Sequence, residues 1–163
     1  MAFTVEDGSI VLGANSYVSL DYANVYFADR GSPSDWVDAY VDAQEAALIY
    51  ATAWLDYTFS WYSIIQDTDQ VLGWPRTSYY DKEGRTIGGS GVIPTQVKNA
   101  TCEMALQYLS EDFTSPDNEG VRSESIGASS ITYSKSYKNF THVKMALKEF
   151  GTNTSNIATI YRA

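Results

Sequence analysis

Residues 38–59 read DAYVDAQEAALIYATAWLDYTF. Within that run Ala43, Ala47, Tyr50, Trp54 and Tyr57 recur at steps of four and three, the period of an α-helix. Ala46, Ala51 and Leu55 widen the apolar stripe. The spacing predicts a helix over about 38–59 that turns this face to a core, with small alanines that let a second helix approach closely.

Upstream, residues 1–15 are short apolar pairs broken by Asp7-Gly8 and Gly13, an extended lead-in. Ser19 has the chemistry of an N-cap and Asp21 suits the first turn, where negative charge meets the helix dipole. Leu20, Ala23, Tyr26 and Phe27 keep helical spacing and Gly31 is a natural stop, so a first helix is predicted over about 19–30. Gly31-Ser32-Pro33-Ser34 reads as a loop.

Downstream, the stretch 63–91 keeps no period and reads as a long ordered loop with a turn at Glu83-Gly84. Pro94 sits where a helix start loses no hydrogen bond. From there Val97, Ala100, Thr101, Met104, Ala105, Tyr108 and Leu109 form the buried face of a third helix to about residue 111. Ser115–Gly120 is a polar break. Beyond it, segments 121–126 and 130–134 flank Gly127 as a β-hairpin. Phe140, Val143, Leu147 and Phe150 fit a short helix closed by Gly151, and Ile157, Ile160 and Tyr161 make a small apolar terminus. The expected fold is mainly α: a bundle of three to four helices with a β-hairpin and an extended C-terminal arm. The division is a helical body, 1–114, containing the loop 63–91, and a second part, 115–163, of hairpin, short helix and arm.

The chain has 163 residues, 44% hydrophobic and 19% charged, enough to bury one core. No apolar run approaches the roughly 18 residues that cross a bilayer, and no secretory leader is evident, so a soluble protein made in a cytosol is expected. Eleven basic against twenty acidic side chains leave −9, which excludes a wholly basic nucleic-acid coat. The charge is uneven: −13 over residues 1–120 and +4 over 121–163. An acidic body with a mildly basic end suggests two surfaces with different partners, or simply an acidic surface that keeps the protein dissolved. Thirteen Tyr and four Trp are an aromatic surplus of a kind found where proteins meet, where bases stack, or in the core itself.

Motifs for chemistry are absent. A single cysteine, Cys102, excludes an internal disulfide and a cysteine zinc cluster, and reads as a buried, inert thiol. His142, the one histidine, lies in a basic stretch with Lys138, Lys144 and Lys148 and reads as a surface residue. Asp67-Thr68-Asp69 lacks the glycine and closing glutamate of a calcium loop. Gly88–Gly91 has no following Lys-Ser/Thr and is no phosphate cradle. The expectation is a non-enzyme without metal or cofactor.

Several segments belong together: Glu6-Asp7-Gly8 followed by Asn15-Ser16-Tyr17-Val18-Ser19; the helix end Asp29-Arg30-Gly31 with Trp36; Glu45-Ala46-Ala47-Leu48-Ile49 with Ala51-Thr52 and Leu55-Asp56. They continue with Gln70-Val71-Leu72-Gly73-Trp74-Pro75-Arg76-Thr77, Asp81 to Gly84, and Ile93-Pro94 leading into Val97-Lys98 and Ala100. Over about residues 4–134 this pattern resembles the head–tail connector (adaptor, head-completion) proteins of tailed bacteriophages. Members of the same sequence group also carry the label DnaT-like single-stranded-DNA-binding protein.

The resemblance implies a structural virion protein. It implies a ring, dodecameric, docked under the portal protein, with a tail or stopper/nozzle protein below and double-stranded DNA passing through the lumen. Its place is the virion neck, reached from the host cytoplasm during assembly, with no membrane. An acidic lumen suits DNA that must slide. On this reading Trp74, Arg76, Phe150, Ile157, Ile160, Tyr161 and Arg162 are subunit or portal contacts. Trp74 and Arg76, either side of a proline, serve as an anchor between subunits or lock the long loop onto the second helix; Trp74 as a core plug is the simpler role. The terminal arm either orders on a neighbour or packs back as a strand on its own body. Arg122, Lys135, Tyr137 and Lys138 are candidate contacts to DNA or a partner. The alternative function is a phage replication protein that binds single-stranded DNA. Such a protein needs a cationic track beside stacking rings, for which Arg122, Lys135, Lys138, Lys144 and Lys148 with Tyr133 and Tyr137 are the residues available.

Overall fold

The helix read from residues 38–59 runs from Val41 to Thr58 (α3) and lies against a second long helix, Thr95–Ser110 (α4). The computed structural model describes residues 2–80, 83–110, 124–126, 129–131 and 140–153. Among them are three further helices, Leu20–Ala28 (α1), Ser34–Val37 (α2) and Thr141–Leu147 (α5). The strands are short and antiparallel and pair in twos: Phe59–Trp61 (β1) with Gly151–Asn153 (β6), Tyr79–Tyr80 (β2) with Thr86–Ile87 (β3), and Glu124–Ile126 (β4) with Ser129–Ile131 (β5). The fold is mainly α with a β-hairpin, as expected. The short α2 lies where composition indicated only loop. None of the described helices is long and apolar enough to cross a membrane.

Local chemistry explains the helix ends. Ser19 Oγ accepts the Tyr22 N–H at 3.1 Å, capping α1. At the other end Ser32 N–H returns to the Phe27 carbonyl at 2.9 Å across Gly31, whose φ of +87° suits a residue without Cβ. Pro94, placed just before α4, is buried and its carbonyl accepts the N–H groups of Val97 and Lys98.

The core is one cluster, and it corrects the face assigned to α3. The buried residues there are Gln44, Ala47, Leu48, Ala51, Thr52 and Leu55. They meet Val97, Ala100, Thr101, Met104 and Ala105 of α4, with Ala23, Tyr26 and Phe27 of α1 and Trp36 of α2. Close approach of two long helices needs small residues at the contact, and Ala47, Ala51, Ala100 and Ala105 provide it. The face through Tyr50, Trp54 and Tyr57 is displaced to the flank: Tyr57 is 86% exposed and Tyr50 41%.

The segment 140–153, grouped by sequence with the hairpin and arm, contributes Val143, Leu147 and Phe150 to the same cluster. Fully burying side chains of this size stabilises a fold by about 1.5–3 kcal/mol each. Gly151, read as a helix stop, instead opens β6. A Cβ there would stand 2.8 Å from the Ser60 carbonyl oxygen, so the strand pairing requires glycine. Rings continue the join: Phe140 lies 5.0 Å from Trp54, Trp54 6.5 Å from Phe59, and Phe59 5.2 Å from Trp61. Trp61 and Trp74 are 5.8 Å apart and Trp74 and Phe150 6.1 Å.

Candidate functional site

No cluster of three or more His, Cys, Asp or Glu that would hold a metal occurs among the described residues. Asp67 Oδ1 accepts the Asp69 N–H at 2.9 Å, so this acidic pair shapes a turn. Burial pushes the Cys102 thiol up to about 12, far from the thiolate that a nucleophile needs. His142 is 57% exposed in its side chain, with Nε2 3.9 Å from Glu103 Oε2.

Of the residues assigned to interfaces, Trp74 and Phe150 are in the core, 0% and 4% exposed. Arg76 holds the long loop: its Nε, Nη1 and Nη2 donate to the carbonyls of Tyr62, Gly73 and Ser63 at 2.7, 3.0 and 2.6 Å. The flanking chain is bound to α3 through Asp56. Its Oδ1 accepts from the Tyr17 hydroxyl at 2.5 Å and from Trp61 Nε1 at 2.9 Å, while Oδ2 accepts the Gly73 N–H at 2.9 Å. Trp74 and Arg76 therefore lock the loop onto its own body. Ile157, Ile160, Tyr161, Arg162, Arg122, Lys135, Tyr137 and Lys138 lie outside the described residues, as does Tyr133.

The feature with binding chemistry is the flank of α3. Tyr50, Trp54 and Tyr57 follow one another at i, i+4 and i+7 along one side of the helix, a row about 10 Å long at 1.5 Å per residue. Tyr108 of α4 packs on Tyr50 with centroids 4.4 Å apart, and Phe140 stands at 70° to Trp54. Tyr50 and Trp54 are thus held by neighbouring rings; Trp54 is half-buried against the core, and Tyr50 and Tyr57 present the exposed area. Sequence periodicity found these residues and assigned them to the core, because it counts tyrosine and tryptophan as apolar. The informative signal was their hydroxyl and indole N–H groups, which favour a half-wet position.

Charge beside the row is mixed. Helix α5 and its C-cap carry Lys144 and Lys148, with Glu149 following, whereas α3 carries Asp42, Glu45 and Asp56. Lys144 follows Phe140 by one turn, its N–H bonded to the Phe140 carbonyl at 2.9 Å. A lysine therefore stands one turn from the ring that joins the aromatic row. In the sequence, Lys135, Tyr137 and Lys138 precede Phe140 by at most five residues.

The model of the family described as "Putative DnaT-like ssDNA binding protein" matches residues 1–163. The chain belongs to that family. No curated protein and no solved structure matches it significantly. The DnaT-like assignment corrects the connector reading. The family match supports the label that reading set aside, and nothing in it points to a ring, a portal or tail partner, duplex DNA in a lumen, or a virion neck. Trp74 fills the core, the simpler of the two roles read for it, and Phe150, read as a subunit or portal contact, is likewise part of the protein's own interior.

Proposed function

We propose that this protein binds single-stranded DNA, with bases stacked on the row Tyr50, Trp54 and Tyr57 and phosphates drawn to Lys144 and Lys148. The observation that carries the reading is the aromatic row turned outward beside the described helix of net positive charge, in a chain of the DnaT-like family. Single strands expose base faces that stack on aromatic side chains without regard to sequence, and their phosphates need only a few nearby cations. Acidic side chains elsewhere on the body repel phosphate, while Asp42, Glu45 and Asp56 of α3 itself leave Lys144 and Lys148 of the neighbouring helix to supply the attraction. Lys135, Tyr137 and Lys138, adjacent in sequence to Phe140, are the next contacts in this reading, and Arg122 belongs to the same basic segment. The protein acts by binding, without a catalytic step.

Titration of a labelled oligothymidylate at low and moderate salt tests this. Wild type binds with salt-sensitive affinity. Tyr57→Ala loses about 5- to 100-fold, the range expected from removing one stacking ring, with an unchanged melting temperature. Absence of binding by the wild-type protein, or a Tyr57→Ala protein as tight as wild type, overturns the proposal.

A further inference from the structure

A second set of rings and cations, on the opposite side of α4 from Tyr108, stands apart from the Trp74–Arg76 lock and the α3 row, although its Tyr26 is also a core residue. Arg30 sits on the ring of Tyr26, its guanidinium carbon 3.6 Å from the centroid, and Lys98 Nζ stands 5.6 Å from the ring centroid of Tyr22. Tyr22 and Tyr26 are one turn apart on α1, so the two stacks are spaced by about 6 Å. Each ring is fixed at its far end, the Tyr22 hydroxyl donating to Asn99 Oδ1 at 2.8 Å and the Tyr26 hydroxyl to Glu103 Oε1 at 2.6 Å. Arg30 is further oriented by its Nη1 donating to the Tyr26 carbonyl at 3.2 Å, with Nε 4.0 Å from Glu103 Oε1. Its side chain is still 46% exposed, which leaves the guanidinium surface away from Tyr26 open to solvent.

The two surfaces meet at the start of α5. Phe140 lies on Trp54, and two residues later His142 reaches Glu103. Glu103 in turn lies 4.0 Å from Arg30, so the turn links the α3 row to the Arg30–Tyr26 stack. We propose that Arg30 and Lys98 form a second contact for the same single strand, a base stacking on the open side of the Arg30 guanidinium and a phosphate meeting Lys98. This rests on the single-stranded-DNA reading above and adds its second half. Arginine planes stack on bases, and a guanidinium already laid on a tyrosine loses little freedom when a base covers it. Three carboxylates temper the attraction. Glu103 lies at the edge of the stack, Asp29 is next to Arg30 in sequence, and Lys98 is close enough to Asp7 to contribute to lowering its carboxyl, chiefly lowered by its bonds to Ser9. The contact therefore extends a site that the α3 row begins.

The test compares oligothymidylates of about five and about twenty nucleotides, lengths at either end of a single-domain site. For the Arg30→Ala/Lys98→Ala double variant, the long oligomer weakens about tenfold. Its log K–log[salt] slope also falls by about 0.7, from the one phosphate neutralisation that Lys98 provides. The short oligomer, which the α3 row alone accommodates, is unaffected. Arg30→Lys retains the salt slope and loses part of the affinity, which separates stacking from charge without depending on the fold of the alanine variant. A double variant with wild-type affinity and slope for the long oligomer, while Tyr57→Ala is impaired, overturns this inference and leaves the first reading standing. Absence of binding by the wild-type protein at either length removes both.

Discussion

Tyr17 and Asp56, far apart in sequence, are joined by a hydrogen bond of 2.5 Å from the phenol to Oδ1. The same tyrosine oxygen accepts the N–H of Trp74 at 3.2 Å. Through these two atoms the N-terminal lead-in, the second half of α3 and the Trp74 loop are fixed to one another. Burial pushes the Tyr17 hydroxyl well above its ordinary value, and the adjacent carboxylate adds to the effect, which favours the protonated, donating form.

Replacing Asp56 by alanine leaves three donors without their acceptor: the Tyr17 hydroxyl, Trp61 Nε1 and the Gly73 N–H. The expected loss is about 3 kcal/mol, read from urea unfolding. Asp56 also makes stability depend on pH. Burial raises its carboxyl above the ordinary 3.8, outweighing the donors that act the other way. The folded state then holds the proton more tightly than the unfolded chain. Stability contributed by this group declines as pH rises from the ordinary aspartate value through the raised one. Asp56→Asn removes that slope, and its amide, facing the Gly73 N–H donor to donor, lowers stability at all pH values.

Arg76→Lys separates charge from geometry. One ammonium cannot reproduce a planar fork that donates to three carbonyls. The variant is expected to lose about 2 kcal/mol. Hydrogen exchange should quicken at the Thr77 N–H, which bonds the Ile64 carbonyl at 2.9 Å. Exchange equal to wild type there would contradict the lock.

Glu6 is 3% exposed, and its carboxylate accepts the N–H groups of Gly8, Ile10 and Val11 at 2.8, 3.0 and 2.9 Å. Glu6→Ala is expected to cost about 3 kcal/mol by leaving those donors unpaired. Gly8→Ala should be at least as harmful, since φ is +105° and the new Cβ would fall 2.0 Å from the Gly91 carbonyl oxygen. Thermal melts of the two variants check both figures.

Cys102 should be silent toward a thiol reagent at pH 8 in the folded protein and react fully in urea. Its sulfur is completely buried and its thiol is pushed up to about 12 by that burial. Rapid labelling under native conditions would show that α4 opens far more readily than its packing implies.

The long helices were legible because their signals are local: the Ser19 cap, Gly31, the α3 period and Pro94 before α4. What escaped depends on contacts between distant residues. In Gly-Thr-Asn at 151–153 only Thr152 favours a strand, and β6 exists because β1 offers an edge and Gly151 permits close approach. The facing of α3 was misread by one strip of side chains, since Ala47, Leu48 and Ala51 outcompete the bulkier Tyr50 and Tyr57 for a narrow helix–helix contact. That error concealed the candidate site, whose rings had been assigned to the interior. The aromatic surplus was visible, but which rings remained wet was decided by α4 and α5.

The junction of Phe140 with Trp54, and of β6 with β1, has an architectural consequence. The described part of α4 ends at Ser110 and the chain is seated on the same body from Phe140 onward, so these two points are held at a fixed separation. Closing a loop of doubled length costs only about 0.6 kcal/mol more. A change of chain length between these two fixed points therefore adds little closure entropy, which makes this interval the one in which to graft a reporter.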